Sequence, residues 1–172
     1  GSLDPLATGL LPLCFGEATK FSQFLLDADK KYVARVKLGV ITESGDSDGK
    51  VIETRPVPEI SDAELEKVLS FYRGEIIQIP SMFSAIKLGG QPLYKLARKG
   101  IEVERKGRAV HIFELLVPDR DMDEFTIEVH CSKGTYVRTL AEDLGTELGC
   151  GAHVTALRRL SAGPFDEAES VS

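Results

Sequence analysis

Apolar and polar residues alternate along several stretches of the chain, which predicts strands. The clearest stretch is the one in which Phe125, Ile127, Val129 and Cys131 are separated by polar residues. The predicted strands cover residues 31–40, 109–117, 124–131 and 153–160. Residues 51–54 follow the polar turn 44–49 and are expected to return as a hairpin partner.

Apolar residues at helical spacing predict helices between these strands. Ser61 and Glu64 have the spacing of a capping box, in which each side chain satisfies a free amide of the first turn. Gly74 and Gly100 suit positions just past helix ends. The predicted helices cover residues 17–27, 62–72, 92–99 and 135–148. Helices inserted between paired strands predict an α+β fold, with a mixed but mostly antiparallel central sheet flanked by helices.

Length and composition fit one globular domain. The chain has 172 residues, of which 42% are hydrophobic and 28% charged, a balance that argues against disorder. No apolar run approaches the about 18 residues of a membrane span, so no membrane partner is expected. Cys14, Cys131 and Cys150 are odd in number and widely spaced, which indicates a reducing, cytoplasmic location. The net charge of −6 by itself argues against a nucleic-acid partner.

Two histidine and cysteine pairs raise the question of a metal site. Cys150 and His153 have ligand spacing, but no second pair completes a set of four ligands. His130 and Cys131 would point to opposite faces of their strand. We therefore expect no metal, and interpret these residues as buried thiols and a hydrogen-bonded histidine.

The densest feature of the sequence is its opening, residues 1–12, in which glycine, proline and apolar residues surround Asp4. By local rules Asp4 is a helix N-cap with Pro5 at the first helical position. Alternatively, Asp4 is a carboxylate on a rigid turn, held where it can attack a substrate. A phosphate-binding loop fits poorly, because no Gly-Lys-Ser/Thr follows.

Two later segments also allow two interpretations each. Asp46 lies in a polar turn that does not match an EF-hand, and this turn is either a surface feature or part of an ionic network. Arg138 stands four residues before Glu142. It therefore forms either a solvated pair on a helix or a two-hydrogen-bond contact with a carboxylate in a cleft. Thr135 is the predicted N-cap of that helix.

These three segments together resemble the TruB family, the bacterial tRNA pseudouridine synthases that act on uridine 55 of the T-loop. The motif G-x-L-D-P-x-A-T-G-x-L begins at Gly1. Further similar tracts follow in the family's order through nearly the whole chain. They are residues 16–21, 31–32, 46–49, 79–85, 134–139 and 157–160.

The resemblance implies a pseudouridine synthase fold. Residues 1–172 would form the catalytic domain, with a thumb-like insertion at residues 81–109. The family's N-terminal segment and its C-terminal PUA domain are expected to be missing from this sequence. No cofactor and no metal are expected, because moving the glycosidic bond from N1 to C5 leaves the base neither oxidised nor reduced.

The resemblance also implies roles for individual residues. Asp4 would be the catalytic nucleophile, and Tyr32 would stack on the flipped uracil near C5, where a proton must leave. Arg138 would pair with Asp4, and Asp46 would join that ionic network. Further contacts would come from Tyr136 and Leu157 in the uridine pocket and from Lys20 on the RNA backbone.

The uneven distribution of charge changes what the acidic total implies. Residues 81–109 carry seven basic and two acidic side chains, a net charge of +5. The expected RNA-binding residues of this insertion are Lys87, Lys95, Arg98, Lys99 and Arg105. A solvated basic face is the alternative. If the insertion binds phosphates, neutralising Lys95, Lys99 and Arg105 should flatten the salt dependence of RNA binding.

The leading hypothesis is a monomeric enzyme that flips uridine 55 out of the T-loop stem-loop of tRNA and isomerises it to pseudouridine. A non-catalytic tRNA-binding or RNA-folding module on the same scaffold is the alternative. A generic binding domain, in which Asp4 only caps a helix, is a third hypothesis. An Asp4→Asn variant separates them, because Asn caps a helix about as well as Asp.

Overall fold

The computed structural model describes residues 3–84 and 86–169, so Gly1 and Ser2 of the opening motif and Ala85 of the predicted insertion lie outside the described residues. In chain order the strands are β1 (Thr8–Gly9), β2 (Lys30–Leu38), β3 (Val40–Thr42), β4 (Val51–Thr54), β5 (Gly74–Gln78), β6 (Lys87–Leu88), β7 (Gln91–Pro92), β8 (Arg108–Arg120), β9 (Glu124–Cys131), β10 (Ala152–Ala162) and β11 (Phe165–Asp166). The helices are α1 (Ser22–Asp27), α2 (Asp62–Phe71), α3 (Leu93–Arg98) and α4 (Val137–Glu147), and 3₁₀ helices cover Gly16–Phe21 and Glu167–Glu169.

Across the described ranges, seven strands form one sheet in the order β1, β10, β2, β9, β8 and β5, with β11 also paired to β10. β1 runs parallel to β10, and the other neighbours are antiparallel. β2 lies at the centre, where Tyr32 stands opposite Arg159 of β10 on one side and Val129 of β9 on the other. The predicted α+β fold with a mostly antiparallel sheet is therefore confirmed.

The hydrophobic core lies between the sheet and two helices. α4 packs on β10 and β2, and α2 packs on α4. The alternation predicted for β9 is confirmed, since Phe125, Ile127 and Val129 are buried while Glu128 is exposed. Leu140 and Leu144 of α4 complete this layer. Each such aliphatic or aromatic side chain stabilises the fold by about 1.5–3 kcal/mol relative to its exposure to water.

The strand predicted over residues 31–40 is divided at Gly39. This glycine has a φ of +81°, a left-handed conformation, and a Cβ there would lie 2.7 Å from the carbonyl oxygen of Arg55. β2 therefore ends before Gly39, and β3 begins after it. β3 pairs with β4, so the hairpin predicted for residues 51–54 is confirmed.

The predicted helices are present, with two corrections. Residues 16–21 are a 3₁₀ helix rather than the start of an α-helix, and the hydroxyl of Thr19 donates to the carbonyl of Gly16 at 2.7 Å. The prediction of Thr135 as an N-cap is wrong, because its hydroxyl donates to the carbonyl of Ser132 and Tyr136 occupies the cap position. Within residues 3–84 and 86–169, no helix is long and apolar enough to cross a lipid bilayer.

The capping box predicted before α2 is confirmed. The amide of Glu64 donates to Ser61 Oγ at 3.1 Å, and the amide of Ser61 donates to Glu64 Oε2 at 3.0 Å. The pair satisfies two amides that have no partner inside the helix, an arrangement that contributes about 1 kcal/mol to helix stability.

Residues 81–109, which we call the thumb segment, contain the β6–β7 hairpin and α3. The segment follows β5, an edge strand that the sequence pattern did not predict, and it leads into β8. Because β5 and β8 are hydrogen-bonded neighbours, the thumb segment leaves the sheet and returns to it at the same edge.

Candidate active site around Asp4

Asp4 begins a turn rather than a helix. The amide of Ala7 donates to the carbonyl of Asp4 at 2.9 Å, and Pro5 supplies the φ that suits the second position of such a turn. The chain then enters β1, which pairs with Arg158 and Arg159 of β10. The interpretation of Asp4 as a helix N-cap is therefore wrong, and its carboxylate lies on a turn anchored to the sheet.

The segment after Asp4 is held very close to β10. Gly9 has a φ of +99°, and a Cβ there would lie 2.2 Å from the carbonyl oxygen of Arg159, so only glycine fits. The amide of Leu10 donates to that same oxygen at 2.9 Å, and Arg159 Nε donates to the carbonyl of Leu10 at 2.8 Å. One hydrogen bond from the main chain and one from a side chain thus fix the segment that follows the turn to β10.

Arg138, at the start of α4, joins two carboxylates. Its Nε lies 3.0 Å from Asp4 Oδ2, and its Nη1 lies 3.5 Å from Asp46 Oδ2. Nη1 also donates to the carbonyl of Ser44 at 3.3 Å. Arg138 is only 7% exposed, so the interpretation as a solvated pair with Glu142 is wrong. A planar guanidinium suits this task, because it donates in several directions within one plane.

Asp46 is buried, and the interpretation of its turn as a surface feature is wrong. Ser44 Oγ donates to Asp46 Oδ1 at 2.6 Å, and the amide of Asp48 donates to the same oxygen at 3.1 Å. The turn is tied to β10, because the amide of Val154 donates to the carbonyl of Gly45 at 2.9 Å. Asp46 is therefore held from the side opposite to Arg138, which orients its second oxygen toward the guanidinium.

Tyr32 lies half-buried on β2, against the hydrophobic core and within the electrostatic reach of Asp4. Burial raises the pKa of its phenol, Cys131 and Asp4 raise it further, and the guanidinium of Arg159 acts in the opposite direction. The phenol is therefore protonated at neutral pH.

Tyr136 occupies the N-cap position of α4, two residues before Arg138, and a buried amide fixes its backbone. Gln78 Nε2 donates to the carbonyl of Tyr136 at 3.1 Å, and the amide of Tyr136 donates to Gln78 Oε1 at 2.9 Å. Leu157 is buried in β10 and belongs to the core. The role of Gln78 was not predicted from the sequence. Its polar side chain directly after Ile76 and Ile77 is a signal that could have indicated a buried hydrogen-bonding residue.

A cavity of about 580 Å³ lies between the thumb segment and α4. Met82, Phe83 and Arg105 line one side, and Glu142 and Asp143 line the other. Burial raises the pKa of Glu142 to about 7 and that of Asp143 to about 6. This second cluster of titratable groups is one helical turn away from Arg138.

The basic residues of the thumb segment fall into two groups. Lys87, Lys95, Arg98 and Lys99 are exposed. Arg105 instead lies partly buried, where it donates to the carbonyl of Pro80 at 3.2 Å and approaches Glu102 to 3.7 Å. The first group is available to a ligand from solvent, whereas Arg105 ties the end of the thumb segment back to its start.

Other candidate residues lie apart from this site. Lys20 is exposed and pairs with Glu17, rather than with the cluster of Asp4 and Arg138. His153 Nδ1 lies 2.8 Å from the carbonyl oxygen of Val40, and Cys150 is buried. In the described parts of the chain, no three His, Cys, Asp or Glu side chains come together as a group that could hold a metal ion.

Comparison with protein families gives two matches. The model for the TruB family pseudouridylate synthase (N terminal domain) matches residues 1–137, and the model for the tRNA pseudouridylate synthase B C-terminal domain matches residues 138–172. The two matches meet inside α4, so the contact between Asp4 and Arg138 joins residues from both.

Curated relatives are similar over almost the entire chain. The tRNA pseudouridine synthase B of Coxiella burnetii (strain Dugway 5J108-111) is 60% identical over 171 residues, which are 99% of this chain and 55% of the relative. That of Shewanella denitrificans is 56% identical over 174 residues, with 100% of this chain and 55% of the relative covered. The chain thus spans about half the length of the curated relatives it matches.

Solved structures share the fold. A chain from the crystal structure of a Cbf5-Nop10-Gar1 complex matches with a TM-score of 0.72 at 30% identity, covering 97% of this chain and 40% of that one. A chain from the structure of an H/ACA RNP bound to a substrate RNA containing 2'-deoxyuridine matches with a TM-score of 0.67 at 28% identity, covering 97% and 38%. Together with the family matches over residues 1–137 and 138–172, these likenesses show that the chain belongs to the TruB family.

Proposed function

We propose that this protein is a tRNA pseudouridine synthase that isomerises uridine 55 of the T-loop. Membership of the TruB family and the names of the relatives support the reaction class. The observation that carries the proposal is the ion pair between Arg138 and Asp4, which holds a carboxylate on a rigid turn within the electrostatic reach of Tyr32.

Asp4 is the nucleophile of the proposed reaction. The reaction breaks the bond between N1 and C1′, turns the base, and joins C5 to C1′. A carboxylate that forms a covalent intermediate divides this change into easier steps. Attack on C6 of the base and attack on C1′ of the ribose are both chemically open to Asp4. In either case the ion pair with Arg138 holds the carboxylate in place on its turn.

Tyr32, Tyr136 and Leu157 form the uridine pocket in this proposal. The target base must leave its stack, which costs a few kcal/mol, and the ring of Tyr32 offsets part of that cost by stacking on the uracil. C5 loses a proton in the reaction and N1 gains one. The overall change therefore needs no cofactor and no metal ion.

The thumb segment is the proposed RNA clamp. Its exposed basic residues supply the phosphate contacts, and Arg105 stabilises the segment that carries them. Lys20 is a further proposed contact to the RNA backbone. We expect the protein to act as a monomer on the T-loop stem-loop.

The Asp4→Asn variant tests the proposal, with Asp48→Asn as the matched control. Asp48 has an exposed side chain, so its substitution repeats the loss of a carboxylate while keeping the backbone amide that donates to Asp46. We expect Asp4→Asn to bind a T-loop stem-loop but to form at least about 10³-fold less pseudouridine, measured by carbodiimide labelling. Asp48→Asn should keep its activity.

Two outcomes contradict parts of the proposal. Undiminished product from Asp4→Asn removes Asp4 as the nucleophile. Binding without product from the unchanged protein favours the alternative, a tRNA-binding or RNA-folding module on the same scaffold.

A further inference from the structure

Arg159 is a buried charge with an unused hydrogen-bond donor. The residue is 1% exposed and lies on β10. Its Nε donates to the carbonyl of Leu10. Its Nη2 is buried and has no hydrogen-bond partner among residues 3–84 and 86–169. Because a buried charged donor without an acceptor is costly, this Nη2 is free to donate to an acceptor in its surroundings.

The surroundings of Arg159 favour negative charge. Arg159 stands opposite Tyr32 in the ladder between β10 and β2. Lys30 lies two residues before Tyr32 and is also buried, with its ammonium donating to the carbonyl of Ala28 at 2.7 Å. Burial lowers the pKa of Lys30, and Arg159 lowers it further, which places the two cations near each other. The guanidinium of Arg159 would stabilise an anion at the Tyr32 oxygen.

Three titratable groups shift the pKa of Tyr32, and they are Cys131, Asp4 and Arg159. Cys131 of β9 is a neutral thiol at neutral pH, because burial raises its pKa to about 11. Asp4, from the turn before β1, opposes a negative charge on the phenol, although Arg138 pairs with that carboxylate. Arg159 is the cation that lowers the pKa of the phenol.

We propose that Arg159 is a positioning residue, whose free Nη2 donates to the Tyr32 oxygen while that oxygen takes the proton from C5 of the uracil. The role rests on the proposed function. Tyr32 releases its hydroxyl proton to solvent and takes the C5 proton as the phenolate. The electron pair of the C5–H bond forms the C5–C6 double bond, and N1 regains a proton from solvent, so the protons balance. Through Nε, the same guanidinium fixes the segment that follows Asp4.

The variants Arg159→Lys and Arg159→Met test this role, with Arg158→Met as the matched control. Arg158 is the adjacent arginine, but its side chain is half-exposed and pairs with Glu167. We expect Arg159→Met to lower kcat about 10²-fold with little change in KM, and the rising limb of its pH profile to move to higher pH. Arg159→Lys should recover part of both effects, and Arg158→Met should change neither.

A second measurement reports on Tyr32 directly in the free protein. Tyrosine is replaced by 3-fluorotyrosine, and the ¹⁹F signal of residue 32 is assigned by its loss in Tyr32→Phe. We expect Arg159→Met to raise the pKa of this phenol by about one unit, because its neighbouring cation is gone. Thermal melts of each variant check that the fold is kept.

The possible failures are distinguishable. An active wild type, with Arg159→Met unchanged in kcat and in pH profile, overturns the role of Arg159 and leaves the proposed function standing. A loss of activity with an unchanged titration of Tyr32 also overturns it, since Arg159 then only supports the fold. A wild type that forms no pseudouridine removes the proposed function, and the role of Arg159 with it.

Discussion

α4 carries titratable side chains at two places, one helical turn apart, and their surroundings differ. At the first turn, Arg138 lies between the carboxylates of Asp4 and Asp46. One turn later, Glu142 and Asp143 line the cavity beside the thumb segment. The first place thus holds a cation shared by two acids, whereas the second holds two neighbouring acids.

The acids at the two places differ in their hydrogen-bond partners. Asp46 is 3% exposed, yet its oxygens receive hydrogen bonds from Ser44 Oγ, from the amide of Asp48 and from Arg138. Glu142 feels Arg138 and Arg105 only through their charge, and burial dominates, so its pKa rises. The first arrangement surrounds its carboxylates with hydrogen-bond donors, whereas the second favours protonated acids.

The largest effects on kcat and on the free energy of unfolding are expected from substitutions of Arg138, the cation that Asp4 and Asp46 share. Arg138→Lys keeps the charge but loses the planar fork that reaches both carboxylates, so kcat should fall at least about 10²-fold. Arg138→Met leaves the buried carboxylate of Asp46 and the partly exposed one of Asp4 without their cation, and should lower the free energy of unfolding by about 3–5 kcal/mol. Turnover on a T-loop stem-loop and urea denaturation measure the two effects.

Arg55→Lys is the matched control for these variants, since Arg55 pairs with Glu53 at an exposed position. Its turnover and stability should stay close to those of the wild type, because exposed pairs contribute only about 0–1 kcal/mol. Full turnover by Arg138→Lys contradicts the comparison, since a point charge would then serve as well as the fork.

Local sequence patterns predicted the elements whose stabilisation is local. The alternation in β9 and the capping box of Ser61 and Glu64 depend on residues that are neighbours in sequence, and both are confirmed. The edge strand β5 was missed, because its apolar residues Ile76 and Ile77 are adjacent rather than alternating. Its pairing with β8 is a tertiary contact that a short pattern does not contain.

The candidate site depends on contacts between distant parts of the chain, and local rules failed there. They favoured Asp4 as a helix cap, because Asp-Pro suits a helix start and a turn equally well. The ion pair of Asp4 and Arg138 was expected only from the family resemblance. Arg159 was missed altogether, since nothing in the sequence near it shows that its neighbours are Leu10 and Tyr32.

The next largest effect is expected on the salt dependence of RNA binding. In the thumb segment, the exposed cations should contribute to it more than Arg105, which lines the cavity. Replacing Lys95 and Lys99 together by Gln removes two exposed charges. If both bind phosphates, the slope of log affinity against log salt should fall in magnitude by about 1.5. The affinity of a T-loop stem-loop, measured across a salt series, gives this slope.

Arg105→Gln is the comparison variant for that experiment. Arg105 donates to the carbonyl of Pro80, and its side chain is 24% exposed, so it belongs to the fold of the segment more than to its surface. We expect its substitution to weaken binding at every salt concentration while changing the slope by less than about 0.5. An unchanged slope in the Lys95 and Lys99 variant removes the thumb segment from the RNA interface.

The smallest effect is a dependence of stability on pH at the second place on α4. The pKa of Glu142 is raised by burial to about 7, so between its unfolded value and about 7 the folded state binds more protons than the unfolded state. Stability therefore falls as pH rises through this window. Glu142→Gln cannot ionise at this position, and it should raise the free energy of unfolding by about 1–2 kcal/mol near pH 8 but have no effect near pH 4.

Glu59→Gln, at an exposed position, is the control and should change the free energy of unfolding at neither pH. Equal stabilisation by Glu142→Gln at both pH values would mean that the gain comes from packing, and the contrast between the two places on α4 would then lose its electrostatic basis.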